Sequence, residues 1–245
     1  MMNMQPVPIS SSVSKIDILA IHMEKPFSDA DREAVYRAIH ERRDMRHFLS
    51  DPVAPDVMRR LIDAALHAPS VGFMQPWRIL RITCAQLRTQ LRDAVERERL
   101  LTADALGERR DSFMRLKVEG LGECAEVLVM ALMDGRERHV FGRRTLPEMD
   151  LASVACAIQN MWLAARAEGL GMGWVSLFDP LEVAALLKMP AGARPVAILC
   201  VGHVERFYDA PMLETERWAA RRSVEECVFE NTWLPSSPDQ VLYKT

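Results

Sequence analysis

The chain has 245 residues, of which 49% are hydrophobic and 27% are charged, and its formal net charge is −3. This composition is typical of a folded globular protein and excludes intrinsic disorder, while the small net charge excludes a dedicated, strongly basic nucleic-acid-binding protein. The sequence has no apolar run of the roughly 18 residues that a membrane-spanning helix requires. We therefore expect neither nucleic acid nor a membrane as a partner.

Hydrophobic periodicity predicts a series of helices along the chain. Ser28 and Asp31 form a capping pattern at the start of the first helix, which is expected to end near Arg43. The clearest helix extends from about Glu148 to Glu168, where apolar residues recur on one face and Gly169 follows as the C′ residue. The other predicted helical segments are residues 55–68, two helices within residues 84–119, and residues 181–189.

Four apolar segments predict strands that alternate with these helices. Residues 125–133 form a near-continuous apolar run, which is typical of a strand buried on both faces. The other predicted strands are residues 77–82, 172–177 and 195–204. Since no Pro/Gly/Ser-rich linker interrupts the pattern, we expect a tail of residues 1–27 followed by one layered α/β domain, residues 28–245.

The C-terminal arm, residues 205–245, is polar and irregular but carries aromatic side chains that need an apolar surface to cover. These include Phe207, Tyr208, Trp218, Phe229 and Trp233. An arm that wraps a dimer partner is favoured slightly over one that folds back on its own subunit.

The five cysteines are far apart, with no C-x-x-C pair, and the six histidines show no spacing typical of a zinc site. We therefore expect a reducing compartment, the cytoplasm, and no metal centre.

The densest group of polar residues follows the first predicted helix: Arg42, Arg43, Asp44, Arg46 and His47. Guanidinium groups at this spacing can grip a phosphate through paired N–H donors. Solvated cations at a helix C-terminus explain the arginines equally well. His47 beside Asp44 is either a proton-transfer pair or, more commonly, a surface histidine.

Two further segments could present polar groups to a ligand. The ligand loop, residues 68–77, combines Ser70, Gly72 and Gln75 with apolar neighbours, which favours a ligand-binding loop over an ordinary turn. Residues 168–176 contain three alternating glycines, but these lie between a helix and a strand, which is the reverse of a dinucleotide-binding fingerprint. The glycines instead allow a tight passage into the strand, after which Ser176 can present its hydroxyl.

Taken in order, these segments resemble the nitroreductase-like flavoprotein family over about residues 28–235. Three motifs carry the resemblance: R-R-D-x-R, P-S-V-G-x-M-Q-P-W and G-x-G-W-V-S. The first motif contains an aspartate, Asp44, that resembles the pattern of one branch of that family. The same branch has residues similar to Glu214, Trp218 and Arg221. Members of this branch fragment reduced FMN with O2 and release 5,6-dimethylbenzimidazole and erythrose 4-phosphate.

The resemblance implies a three-layer fold, with a mixed central sheet flanked by helices, and a homodimer that binds FMN at the subunit interface. It places Arg42, Arg43, Arg46 and Arg221 at the phosphate and ribityl chain, and Ser70, Gly72 and Gln75 near the flavin. It also assigns proton transfers to Asp44 and Ser176.

The implied reaction consumes reduced FMN as a substrate, so a separate NAD(P)H-dependent flavin reductase is expected to supply it. Residues 100–113 are expected to form a lid that keeps water from the flavin. An FMN-dependent NAD(P)H nitroreductase or flavin reductase with ping-pong turnover is the alternative activity, and a flavin-storage protein is a third possibility.

Overall fold

The computed structural model describes residues 26–233, and the chain divides into two compact units, residues 1–37 and 38–245. In the first unit, the Asp31 backbone N–H donates to the Ser28 hydroxyl oxygen at 3.2 Å, which confirms the predicted helix start. Most of the predicted tail and the end of the predicted arm lie outside the described residues. The predicted bounds of the single domain therefore stay a prediction.

Helices and strands alternate along the described residues as the sequence predicts. The α-helices are α1 (Asp29–Glu41), α2 (Pro55–Leu66), α3 (Ala85–Ala105), α4 (Arg110–Met114), α5 (Met149–Ala167), α6 (Pro180–Leu186) and α7 (Met212–Thr215). The strands are β1 (Trp77–Arg81), β2 (Glu126–Leu132), β3 (Gly171–Val175) and β4 (Arg194–Gly202). Within the range that the structure covers, no helix is both long and apolar enough to cross a membrane.

The four strands form one sheet in the order β1-β2-β4-β3. All three pairings are antiparallel, so within residues 26–233 the sheet is antiparallel where a mixed sheet was expected. In the same range, parallel geometry is confined to one isolated bridge between Asp44 and Met172. A continuous buried run suits an antiparallel strand here because helices cover both faces of the sheet.

The predicted three-layer α/β fold is confirmed by the alternation of side chains along β2. Leu128 and Met130 face α2 and α5, while Val127 and Val129 face α3 and α6. All four side chains are fully buried. Each face of the sheet therefore has its own apolar core, and burial of these cores supplies the main driving force for folding.

The clearest predicted helix is confirmed as α5. Val154, Ile158, Met161 and Ala165 recur at helical spacing and are fully buried against the sheet. The helix ends where Gly169 adopts a φ of +75°, a conformation that glycine reaches without steric cost. The apolar stripe of α5 thus faces the core of the chain.

The described part of the C-terminal arm packs partly on its own chain. The Arg166 guanidinium lies 4.1 Å from the ring centroid of Phe207, and the Trp218 ring lies 6.2 Å from that of Phe113. Residues 219–233 are mostly exposed. Contacts of this exposed stretch with a second subunit stay a prediction.

Candidate active site

The segment that follows α1 lies against β3. The Met45 backbone N–H donates to the Met172 carbonyl oxygen at 3.0 Å. A Cβ built on Gly173 would overlap the carbonyl oxygen of Met45, and one built on Gly171 would overlap the Val204 side chain. The two glycines are therefore required for this close packing, a role beyond the tight passage predicted from the sequence.

This packing fixes Asp44 and Arg46 on the backbone of β3. One carboxylate oxygen of Asp44 accepts a hydrogen bond from the Trp174 N–H at 3.0 Å, and the other accepts one from Arg46 Nη2 at 2.5 Å. Arg46 Nη2 also donates to the Trp174 carbonyl oxygen at 2.8 Å. The carboxylate and the guanidinium are thus held by each other and by a single residue of the strand.

The environment of Asp44 favours its neutral form more than water does. Burial raises the pKa of the Asp44 carboxyl above its ordinary value, while the charges of Arg46 and Arg42 and the hydrogen bond from Trp174 oppose the rise. The part of the side chain that stays exposed lines a cavity. Asp44 is therefore placed to exchange a proton with a molecule bound there.

Buried guanidinium nitrogens without a protein acceptor surround this aspartate. They are Arg42 Nε, Arg43 Nε, and both Nε and Nη1 of Arg46, and among the described residues only Arg99 adds another such nitrogen. Buried donors are normally paired, and an unpaired charged donor is costly. A ligand that brings several acceptor oxygens, such as a phosphate, fits this arrangement.

Arg221 adds a further positive charge to the group. The pKa of Arg42 is lowered mainly by burial, an effect that Asp44 opposes and that the charges of Arg43 and Arg221 reinforce. The Arg42 guanidinium also lies 4.6 Å from the ring centroid of Trp162. Arg43 and Arg221, two of the arginines that the resemblance assigned to a phosphate, are therefore close enough to repel Arg42, and a bound anion would relieve that repulsion.

Asp44 and Ser176, the residues expected to manage proton transfer, line one cavity of about 180 Å³ together with Arg46. Ser176 lies just beyond the end of β3, one residue after Val175. The rest of the lining is mainly apolar and includes Trp218. The structure thus brings together residues that are 132 positions apart in the sequence (176 − 44).

Residues near the end of the segment expected to form a lid line part of the cavity. Of residues 100–113, only Phe113 lines it, and Leu116 joins it from beyond the predicted end. Trp218 also lines the cavity, and the Arg109 guanidinium lies 3.5 Å from the centroid of its ring. The start of the predicted lid is instead the last turn of α3, where Ala103 is buried under Phe113.

Ser176 and Trp174 also line a second cavity, of about 520 Å³. Its other side chains are mostly apolar and include Leu151 and Ala155 of α5. Two cavities with mainly apolar linings therefore meet at the end of β3, and one of them also presents Asp44 and Arg46, an arrangement that suits a ligand with a charged end and an aromatic end.

The ligand loop has the local geometry of a binding loop but lies apart from this site. Ser70 Oγ accepts a hydrogen bond from the Gln75 N–H at 3.1 Å, and Gly72 adopts a φ of +52°. Among the described residues, the hydrogen bonds of the loop lead to Ser153 and not to Asp44 or Arg46. Within one chain, the described hydrogen bonds therefore do not connect Ser70, Gly72 or Gln75 to the arginines.

His47 is not the proton-transfer partner of Asp44. Its Nδ1 lies 2.6 Å from the Tyr208 hydroxyl, which also accepts a hydrogen bond from the Arg46 backbone N–H at 3.2 Å. The partners of Asp44 are Arg46 and Trp174. Tyr208 and Trp174 were not foreseen as site residues, because their contacts join distant parts of the chain and leave no local pattern.

No group of three or more histidine, cysteine, aspartate or glutamate side chains within residues 26–233 could hold a metal ion. All five cysteines, which fall in this range, are free thiols.

Comparison with known proteins places these features in a family. Residues 39–203 match the model of the Nitroreductase family. A 5,6-dimethylbenzimidazole synthase from Rhodospirillum rubrum is 39% identical over 80% of this chain and 94% of its own length. One from Rhodobacter capsulatus is 36% identical over 78% of this chain and 94% of its own length. Among solved structures, iodotyrosine deiodinase bound to FMN and 3-iodo-L-tyrosine superposes with a TM-score of 0.63 at 24% identity, covering 81% of this chain and all of the other.

Proposed function

Because this chain belongs to the Nitroreductase family, we propose that it is a 5,6-dimethylbenzimidazole synthase, which fragments reduced FMN with O2 and releases 5,6-dimethylbenzimidazole and erythrose 4-phosphate. The names of its bacterial relatives support this activity. The observation that carries the proposal is the position of Asp44, which is held by Arg46 and Trp174 and lines the same cavity as Ser176.

The arginine cluster, which consists of Arg42, Arg43, Arg46 and Arg221, would hold the phosphate of FMN. The buried nitrogens of Arg42, Arg43 and Arg46 that lack protein acceptors can donate to phosphate oxygens. Arg221 adds positive charge from an exposed position. Its side chain can therefore move toward the phosphate when FMN binds and away from the site when FMN leaves. Binding at this site should therefore depend strongly on the phosphate.

Asp44 and Ser176 would hold or move protons beside the flavin. Reduced FMN supplies both the electrons that O2 accepts and the carbon atoms of the benzimidazole. A raised pKa makes the ionised Asp44 a stronger base than an ordinary aspartate and brings its pKa closer to neutral pH. The Ser176 hydroxyl, on the rim of both cavities, can donate or accept a hydrogen bond.

The apolar cover would keep bulk water away from the reacting atoms. Phe113 and Trp218 line the cavity that contains Asp44. Such a cover strengthens the electrostatic interactions inside a site and limits side reactions. It also leaves less room for a nicotinamide to stack on the flavin than an open face would.

A second copy of the chain would complete the site. The ligand loop is not joined to the arginine cluster within one chain. The loop also exposes Phe73, and the neighbouring Phe141 is exposed as well, so the face that they share suits contact with another subunit. We therefore propose a homodimer in which Ser70, Gly72 and Gln75 approach the flavin and residues of the exposed arm wrap the partner.

Reduced FMN would come from a separate NAD(P)H-dependent flavin reductase. The apolar residues that line the cavity, Phe113 and Trp218 among them, support a separate reductase because they leave little room for a nicotinamide beside the flavin. The free cysteines suit the reducing cytoplasm, where such a reductase would act.

One experiment tests the proposed function against its alternatives. Purified protein is mixed with reduced FMN without oxygen and then exposed to air, and the products are identified by mass spectrometry. We expect loss of flavin and the appearance of 5,6-dimethylbenzimidazole and erythrose 4-phosphate. Oxidised FMN as the only flavin product would contradict the proposal. NAD(P)H-dependent turnover of a nitroaromatic or a free flavin would then identify a reductase, whereas tight binding without turnover would identify a storage protein.

A further inference from the structure

A buried ion cluster lies at the start of α5, outside the site described so far. The side chain of Asp150 is 8% exposed, and one of its carboxylate oxygens accepts hydrogen bonds from Arg136 Nε and Arg143 Nη2, both at 2.9 Å. Its other oxygen accepts a hydrogen bond from the Leu151 backbone N–H at 2.6 Å. The carboxylate is thus fully used inside the protein.

The two arginines are also used by the chain itself. Arg136 Nη1 donates to the carbonyl oxygens of Met133 and Gly192, and Arg143 donates to those of Arg136, His139 and Pro147. Neither is among the buried arginines with unpaired nitrogens. They therefore differ from Arg42 and Arg46, which keep buried nitrogens unpaired, and their hydrogen bonds among the described residues are to the protein itself.

What this cluster fixes is the arginine loop, residues 136–143, which packs against the ligand loop. A Cβ built on Gly72 would lie 3.0 Å from the carbonyl oxygen of Phe141, and one built on Gly142 would lie 2.6 Å from Val71 Cγ2. The two loops are therefore in direct contact. A shift of the arginine loop would displace Val71 and Gly72.

A second contact reaches the ligand loop from the same end of α5. Ser153, one helical turn after Met149, donates its hydroxyl to the Met149 carbonyl oxygen at 2.7 Å. Its oxygen accepts a hydrogen bond from the Val71 backbone N–H at 3.0 Å. Ser153 is buried, and its hydroxyl oxygen is the acceptor that the protein supplies for this N–H.

We propose that Asp150 is a positioning residue that, together with Ser153, holds the ligand loop in the conformation that receives the flavin. Asp150 acts through Arg136, Arg143 and the arginine loop, and Ser153 acts directly on Val71. The part that concerns flavin rests on the proposed function, whereas the positioning of the loop does not.

The test uses Asp150→Asn and Ser153→Ala, with Glu126→Gln as the matched control. Glu126 is 12% exposed and bonded to Arg81, so the control also neutralises a shielded carboxylate in an arginine pair, but at the opposite end of β2. Ser153→Ala removes one hydroxyl and decides the question if Asp150→Asn does not fold.

The first measurement is amide hydrogen exchange of residues 68–77 in the flavin-free protein. We expect about ten-fold faster exchange in both variants, the size of effect that loss of one buried hydrogen bond produces. We expect no change in the control. Unchanged exchange in both variants would overturn the positioning role, whatever the protein does with flavin.

The second measurement is the Kd for oxidised FMN and for riboflavin. We expect both values to rise about ten-fold in the two variants, because the loop would contact the ring and not the phosphate. Faster exchange with unchanged Kd values would overturn the role of the loop in flavin binding. A wild-type protein that binds FMN but forms no benzimidazole would contradict the proposed function and leave this inference standing.

Discussion

Asp44 and Arg46 form an ion pair at 2.5 Å in which the cation is buried more deeply than the anion, since 9% of the Arg46 side chain and 43% of the Asp44 side chain are exposed. Arg46 is held by Asp44 and by the Trp174 carbonyl oxygen, and it keeps Nε and Nη1 unpaired. The pair therefore separates two tasks. The arginine is fixed with two donors unpaired, as the proposed phosphate site requires, and the aspartate stays accessible from the cavity.

Replacing Asp44 by asparagine should separate binding from chemistry. The amide keeps the shape of the side chain and can still accept a hydrogen bond from the Trp174 N–H, but its NH2 group cannot accept one from Arg46 and it cannot take up a proton. Arg46 keeps its hydrogen bond to the Trp174 carbonyl oxygen. We expect the Kd of FMN to change little and the rate of benzimidazole formation to fall at least about 100-fold, the range typical for loss of a general acid or base. Fluorescence titration and product mass spectrometry measure the two effects. Synthesis at a near-normal rate would remove Asp44 from the mechanism.

The raised pKa of Asp44 predicts a pH-dependent stability. Below pH 3.8, its ordinary pKa, the carboxyl is protonated in both the folded and the unfolded protein. As the pH rises, the unfolded chain loses this proton first, so the folded state binds more protons and the free energy of unfolding decreases until the raised pKa is passed. Wild-type protein should therefore lose stability relative to Asp44→Asn over this interval, with no further change above it.

Urea denaturation of both flavin-free proteins, from about pH 3.5 to about pH 7.5, measures this difference. A difference that is constant across the range would show that the pKa is not raised. A wild-type protein that gains stability relative to the variant would show that Arg46 outweighs burial.

Local patterns in the sequence predict much of the fold. The helix expected from about Glu148 to Glu168 is Met149–Ala167, and the strand expected over residues 125–133 is Glu126–Leu132. Both are long elements whose apolar spacing leaves one solution. The expectation of a mixed sheet differs from the antiparallel pairing of the described strands. Pairing depends on which strands meet in space and not on the residues of each strand alone.

The sequence motifs name candidate site residues but not how these residues are arranged. Asp44 and Ser176 line one cavity because the segment after α1 lies against the glycines of β3, and their roles stay a prediction. The pairing of His47 with Tyr208 joins residues 161 positions apart, for which one sequence holds no signal.

Arg221 should contribute to FMN binding through charge alone. It is exposed, and its described interaction is the repulsion of Arg42. We expect Arg221→Ala to raise the Kd of FMN by up to about five-fold, as for loss of one exposed charge interaction worth about 1 kcal/mol, with little change for riboflavin, which has no phosphate. The neighbouring Arg222, also exposed, supplies the control variant Arg222→Ala. Equal effects of the two substitutions, or equal weakening of FMN and riboflavin, would contradict a specific role of Arg221 at the phosphate.

Gly173 should be essential for the packing that builds the site. In Gly173→Ala the new methyl group would overlap the Met45 carbonyl oxygen and approach Arg46 Nη1 to 3.3 Å. We expect a loss of about 1–3 kcal/mol in the free energy of unfolding, as for other overpacked positions, and weaker FMN binding because Asp44 and Arg46 must shift. Gly122→Ala is the control, since its methyl group would meet nothing closer than 3.7 Å. Thermal unfolding and FMN titration measure both effects, and a Gly173→Ala protein with the Tm and Kd of the wild type would show that the segment does not need this close approach to β3.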